Sequence, residues 1–276
     1  MAVSYVQVNG HRIRYRVEGS AQAPLVVFGH GLLGSLEQVD EHVPGLRELY
    51  EHMRVLVYDA RGHGKSEGPE EPAGYTWEAL ARDMAALVGM VGESKPAVFG
   101  GGSMGAATSL WVALEEPERV QALVLAIPPP LGREAIREED EKRALFVLDF
   151  AAAAIENYGL EKTVEMLREM PGFARTPEEA EERARLLRSQ NPRTIIAAIR
   201  GLLNAPNRAP EEYRQVKAPT LILAHEGDGL HPVRSAKTLA ENIPGARLLV
   251  GDRPGYWRRH PDELNAELRD FFARIG

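Results

Sequence analysis

At 276 residues, 44% of them hydrophobic and 26% charged, the chain has the makeup of one large globular domain or a core with a modest insert. A net charge of −7 without a basic block argues against nucleic acid as a partner, and the absence of cysteine excludes a thiol nucleophile, a disulfide framework and thiolate metal sites. No signal-peptide pattern opens the chain and no run of about 18 apolar residues occurs, so a cytoplasmic protein without a membrane span is expected.

Residues 4–8 and 12–17 alternate around Asn9-Gly10, which predicts a β-hairpin. Residues 24–28 form a continuous apolar run, the pattern of a strand buried on both faces, and lead into Gly29-His30-Gly31-Leu32-Leu33-Gly34-Ser35. A helix is predicted over 36–52. A second apolar strand over 54–58 ends in Asp59-Ala60-Arg61-Gly62-His63-Gly64-Lys65-Ser66, and Thr76 has the chemistry of an N-cap for a helix reaching 91. Strands are predicted at 96–100 and 120–127, the latter stopped by Pro128-Pro129-Pro130. This alternation of strands with helices points to an α/β fold with a mostly parallel central sheet and right-handed crossovers.

Over 131–214 the strand pattern vanishes, and helices are predicted at 134–158, 161–170, 177–190 and 194–204. The expected organisation is an α/β core made of 1–130 and 215–276, with 131–214 inserted as a helical cap over the C-terminal edge of the sheet. The core resumes with a strand at 219–224, a helix at 232–243, a strand at 246–250 and a helix at 261–275.

Gly101-Gly102-Ser103-Met104-Gly105 stands between a predicted strand and a predicted helix. In that setting Gly-x-Ser-x-Gly forms a nucleophile elbow, a turn tight enough to push Ser103 toward positive φ and to require small neighbours. The turn lifts the hydroxyl above the sheet edge and aims a helix N-terminus, with its partial positive charge, at the same point.

These motifs, in this order, resemble the α/β-hydrolase superfamily of the bacterial kind with a helical cap, over nearly the whole chain. The resemblance implies Ser103 as nucleophile and backbone N–H groups of Leu32 and Met104 as oxyanion donors. It implies Asp228, in the loop after the 219–224 strand, as the acid that orients a histidine. Glu226 is the rival in that loop, at a variable position, and Pro128-Pro129-Pro130 occupy the alternative acid position. The family's histidine follows the last strand, but here the simplest register puts Tyr256 at that place, and a tyrosine with a pKa near ~10 is a poor base at neutral pH.

Three readings stay open. His231, three residues beyond Asp228, is a candidate base whose alternative role is to start a helix before Pro232. His260 is an alternative base if the loop is re-registered. In the third reading no histidine reaches Ser103. His225 could line the same pocket, whereas His30, Arg61 and His63 suit structural roles, and His11, His42 and His52 read as surface positions. Phe146, Phe150, Tyr158, Met166, Met170 and Phe173 in the cap could face an apolar substrate, although helical spacing more often marks core.

No metal motif is present, and a dinucleotide loop is rejected because the full Gly-x-Gly-x-x-Gly and its acidic partner are missing. No cofactor is expected. The predicted activity is cleavage of a small, largely apolar ester or related acyl compound. The alternative is a pseudo-hydrolase or a non-hydrolytic member, such as a lyase or cyclase. The expected partner is a small-molecule substrate, on a monomer or a homodimer.

Overall fold

Odd and even residues of the same strand fall into different cores, and this decides the architecture. Val26, Phe28, Val55 and Val57 pack with Trp257, Leu264, Leu268 and Phe271 on one side of the sheet. Val27, Leu56 and Phe99 pack with Trp77, Leu80, Met84, Leu110 and Trp111 on the other. A strand whose alternate residues are all apolar has to be covered on both faces, each large side chain contributing roughly 1.5–3 kcal/mol by leaving water. The computed structural model describes residues 3–39, 52–92, 95–131, 137–169, 174 and 176–275.

The strands are β1 (Ser4–Val8), β2 (His11–Glu18), β3 (Leu25–Gly29), β4 (Arg54–Tyr58), β5 (Ala97–Gly102), β6 (Val120–Ala126), β7 (Thr220–His225) and β8 (Arg247–Gly251). They form a sheet of order β1-β2-β4-β3-β5-β6-β7-β8. β2 pairs antiparallel with β1 and with β4, and the rest of the sheet is parallel. The parallel direction brings the loops after β3, β5, β6 and β7 to one edge, where ligand sites form in open α/β sheets. The β1–β2 hairpin turns through Asn9 and Gly10, both at positive φ (48° and 87°).

The helices described are α1 (Trp77–Val91), α2 (Met104–Glu115), α3 (Glu139–Arg168), α4 (Pro177–Arg188), α5 (Pro192–Asn204), α6 (Val233–Asn242) and α7 (Pro261–Ile275), with a single turn at Tyr256–Arg259 before α7. Thr76 caps α1 by accepting from the Ala79 N–H at 3.1 Å. Thr176 and Asn191 cap α4 and α5 in the same manner. α3, α4 and α5 all belong to the stretch between β6 and β7. Ile195 and Ile199 of α5 pack with Ala152 and Ile155 of α3, and Leu32 and Leu33 of the β3 loop join that cluster.

The helix predicted over 36–52 is described only at its start, a 3-10 turn at Leu36–Gln38 leading into helical Val39; residues 40–51, His42 among them, lie outside the described residues. The helices predicted at 134–158 and 161–170 are the two halves of α3, parted as expected by the non-helical backbone of Gly159 (φ 77°, ψ 164°), with 132–136 and Met170 outside the described residues. Phe146 and Tyr158 are 67% and 63% exposed and Phe150 is 39% exposed, so these aromatics face water rather than a substrate or a core. Periodicity had marked a face without saying toward what. Met166 is half-buried, and Phe173 lies outside the described residues. Among the described residues no helix is long and apolar enough to cross a membrane.

Candidate active site

Ser103 sits between β5 and α2 at φ 52°, ψ −111°, a backbone conformation that costs a non-glycine residue on the order of 1–3 kcal/mol. The surrounding packing sustains it. A Cβ on Gly105 would lie 2.1 Å from the Gly29 carbonyl oxygen, and one on Gly101 would lie 2.3 Å from the Gly105 carbonyl carbon. Only glycine lets α2 press this closely on β3 and β5. The loop after β3 also comes close, since a Cβ on Gly31 would stand 3.6 Å from the Ser103 Cβ. Met104 opens α2, so its N–H is one of the four amides without a partner inside the helix.

The structure brings Ser103, His231 and Asp228 together. Ser103 Oγ is 2.8 Å from His231 Nε2, and His231 Nδ1 is 3.0 Å from Asp228 Oδ2. Asp228 Oδ1 accepts from the backbone N–H groups of Leu230 (2.8 Å) and His231 (3.1 Å). Burial alone would raise the Asp228 pKa, but the His231 bond, the Leu230 amide and the neighbouring histidines hold it well below the usual carboxylate range. An ionised Asp228 requires His231 to carry its proton on Nδ1. Nε2 is then left as an acceptor for the Ser103 hydroxyl, the arrangement a general base needs.

The other candidates go elsewhere. His260 is exposed, donates from Nδ1 to the Tyr256 carbonyl at 2.9 Å and stacks on the Tyr256 ring at 4.0 Å. The Tyr256 ring packs against Gly251 at the end of β8, and its hydroxyl donates to Glu263 at 2.8 Å, away from Ser103. His30 accepts from the Ala60 N–H at Nε2 (2.9 Å) and donates from Nδ1 to the Gly31 carbonyl (2.7 Å), so both its nitrogens brace the loop. Arg61 binds Asp83 with two parallel bonds of 2.6 and 2.7 Å, and the buried His63 donates to the Arg61 carbonyl at 2.9 Å.

A cavity of about 50 Å³ opens against Ser103. Its walls are Leu32, Pro129 and Pro130 from the strand loops, Met104 from the start of α2, Leu145 and Leu148 from α3, and Ile199, Leu202 and Leu203 from α5, joined by Trp77, Arg137 and Asn207. Leu32, Met104 and Ser103 therefore line one partly open, mostly apolar cavity.

A family model described as the alpha/beta hydrolase fold matches residues 24–255. The chain belongs to that family. The α/β-hydrolase relatives include 3-oxoadipate enol-lactonase 2 of Acinetobacter baylyi, 26% identical over 239 residues that cover 86% of this chain and 84% of the relative. Epoxide hydrolase A of Mycobacterium tuberculosis is 29% identical over 315 residues, covering 98% and 97%. Among solved structures, the enol-lactonase from Burkholderia xenovorans LB400 superposes with a TM-score of 0.80 at 24% identity, covering 98% of this chain and all of that one. These likenesses make the protein an α/β-hydrolase-type enzyme. They do not fix its substrate, since lactone and epoxide chemistry share the frame.

Two further residues support the site, and one of them, Gln190, carries no sequence signal. His225, buried at the end of β7, lies with Nδ1 3.8 Å from Asp228 Oδ2, so the carboxylate faces two histidines. Burial lowers the His225 pKa against the pull of that carboxylate. Gln190, after α4, accepts from the Gly64 N–H at 2.9 Å and donates to the Leu33 and Gly34 carbonyls at 3.4 and 3.3 Å. It thereby ties the inserted helices to the loop carrying Leu32. A partner more than 150 residues away leaves no local pattern, whereas His225 is already expected at this pocket from its place at the end of a buried strand.

Proposed function

We propose that this chain is a serine hydrolase that cleaves a small, largely apolar ester or related acyl compound through a covalent acyl-enzyme. The observation that carries the reading is the continuous hydrogen-bonded path from Ser103 Oγ through His231 to Asp228, with spacings of 2.8 and 3.0 Å. In the first step Ser103 Oγ attacks the carbonyl carbon while its proton passes to His231 Nε2. The N–H groups of Leu32 and Met104 receive the oxyanion. The protonated His231, stabilised by the Asp228 carboxylate, then gives its proton to the leaving alkoxide. Water, activated by the same nitrogen, releases the acid and restores Ser103.

The helices of the 131–214 segment act in this reading as a cap that excludes bulk water and shapes the acyl side of the site. The apolar lining and modest volume of the cavity favour a short acyl group over a long lipid chain.

The test is intact mass after incubation with a fluorophosphonate, for the native chain and for Ser103→Ala. One adduct that requires Ser103, together with ester hydrolysis lost by several orders of magnitude in Ser103→Ala and in His231→Ala, is the expected result. Hydrolysis that survives both substitutions would sink the reading, and a folded native chain that neither labels nor hydrolyses esters would favour a pseudo-hydrolase, lyase or cyclase.

A further inference from the structure

Leu33 holds a backbone conformation that suits glycine, and it stands next to the residue whose N–H serves the oxyanion in the proposed mechanism. Its φ is 67°, in the left-handed region that a leucine occupies only where its surroundings hold it there. Gly31-Leu32-Leu33-Gly34 closes as a turn, with the Gly34 N–H donating to the Gly31 carbonyl at 2.9 Å. Leu33 takes the third place in that turn, the one glycine fills when φ is positive. Leu32 takes the second, so the direction of its N–H is set by the same turn.

The two ends of the turn are held differently. The Gly31 carbonyl also accepts from His30 Nδ1 at 2.7 Å, within the loop itself. The Leu33 and Gly34 carbonyls are reached from the inserted segment, by Gln190 Nε2 at 3.4 and 3.3 Å. Gln190 is buried between α4 and α5, and its Oε1 accepts from the Gly64 N–H at 2.9 Å. That bond decides which way the amide faces. Its oxygen is committed to the loop after β4, so its nitrogen meets the loop after β3. Leu33 also packs against the cluster of Ile155, Ile195 and Ile199 from the inserted helices. Apolar packing of this kind is non-directional and leaves a carbonyl free to turn, whereas a hydrogen bond to the carbonyl does not.

We propose that Gln190 is a positioning residue for the oxyanion site: it holds the Leu33 and Gly34 carbonyls, keeps Leu33 left-handed, and thereby keeps the Leu32 N–H aimed beside Ser103. Without Gln190, Leu33 relaxes toward negative φ, the peptide planes of the turn rotate, and the N–H leaves the place where charge develops. This inference rests on the proposed hydrolase reading, in which the Leu32 N–H receives the oxyanion.

Gln190→Met keeps an unbranched side chain of similar length and removes the amide. Gln190→Asn, which keeps the amide but draws it back from its partners, is the second variant should the first fail to fold. Thr194→Val is the control, because it deletes a buried bond of 2.7 Å from α5 to the Gly62 carbonyl and leaves the β3 loop alone. Each is assayed on ethyl butanoate and on its thionoester, whose larger sulfur is a weak acceptor for a site shaped around oxygen. In Gln190→Met, kcat for the oxygen ester is expected to fall at least about tenfold with KM within about threefold, since the oxyanion contact matures in the transition state. The ester-to-thionoester ratio of kcat/KM falls at least about fivefold there and stays within about twofold of native in Thr194→Val.

Amide hydrogen exchange reads the turn without turnover. The Gly34 N–H, protected by its bond to the Gly31 carbonyl, is expected to exchange at least about tenfold faster in Gln190→Met and at the native rate in Thr194→Val. An unchanged ester-to-thionoester ratio, a rise in KM alone, an equal fall in Thr194→Val, or native exchange at Gly34 would overturn the proposal. If the native chain hydrolyses no ester, the hydrolase reading falls, and exchange at Gly34 still decides whether Gln190 holds the turn.

Discussion

Asp228 uses its two carboxylate oxygens for different ends. Oδ1 closes the turn by accepting two backbone N–H groups, and Oδ2 faces the His231 ring. An amide in its place can keep the turn while losing the charge and the acceptor that fix the His231 tautomer. Asp228→Asn is therefore expected to lower kcat by about 10³–10⁴ with near-ultraviolet circular dichroism unchanged. His260→Ala, which removes an exposed ring stacked on Tyr256, is expected to leave kcat/KM within about twofold; a loss as large as that of His231→Ala would reassign the base. Ser103 and Asp228 were legible as candidates because a turn motif and a strand end mark them. The sequence favoured His231 over His260 only through its three-residue distance from Asp228, since both precede a proline at a helix start and only the path of the chain in space separates them.

At the scale of elements, the seating of α2 on β3 carries the site. Gly105→Ala would drive a methyl group into the Gly29 carbonyl and force the helix outward. We expect either insoluble protein or a stability loss above about 3 kcal/mol in urea titration, with Ser103 labelling lost in whatever folds. The buried pair of Arg61 and Asp83 joins the loop after β4 to α1. Arg61→Leu strips Asp83 of its counter-charge inside the protein and should cost about 3–5 kcal/mol, read as a lower urea midpoint at constant slope. The strands were legible almost residue by residue, since continuous apolar runs bounded by glycine and proline have few other solutions. The break between the inserted helices was legible too: Gly159 lies in the gap between the two predicted helices, and its φ of 77° and ψ of 164° kink α3 there. The exposed side of α3 carries aromatics that no periodicity rule distinguishes from a buried side.

For the molecule as a whole, acid is the condition to which the fold is most exposed. Burial, reinforced by His30, pushes the His63 pKa down to about 3 from an ordinary 6.5. Between those values the unfolded chain takes up a proton that the folded state refuses, so stability falls as pH drops from 6.5 toward 3. Asp228 acts in a lower window. Its folded pKa is depressed, so its contribution is intact above the unfolded value near ~3.9 and is lost as pH falls through the folded one. Replacing His63 with Gln should flatten the dependence of the urea midpoint on pH between about 6.5 and 4; an unchanged slope would assign the acid sensitivity to other groups. One further property follows from the three-residue separation of Asp228 and His231. In the proposed mechanism, proton relay and its electrostatic support ride on a single short loop, and the polypeptide beyond β8 is given no chemical duty. That tail is open to splicing: a Gly-Ser pair inserted after Arg253 should keep most of the turnover, whereas the same pair inserted after Gly229 should abolish it.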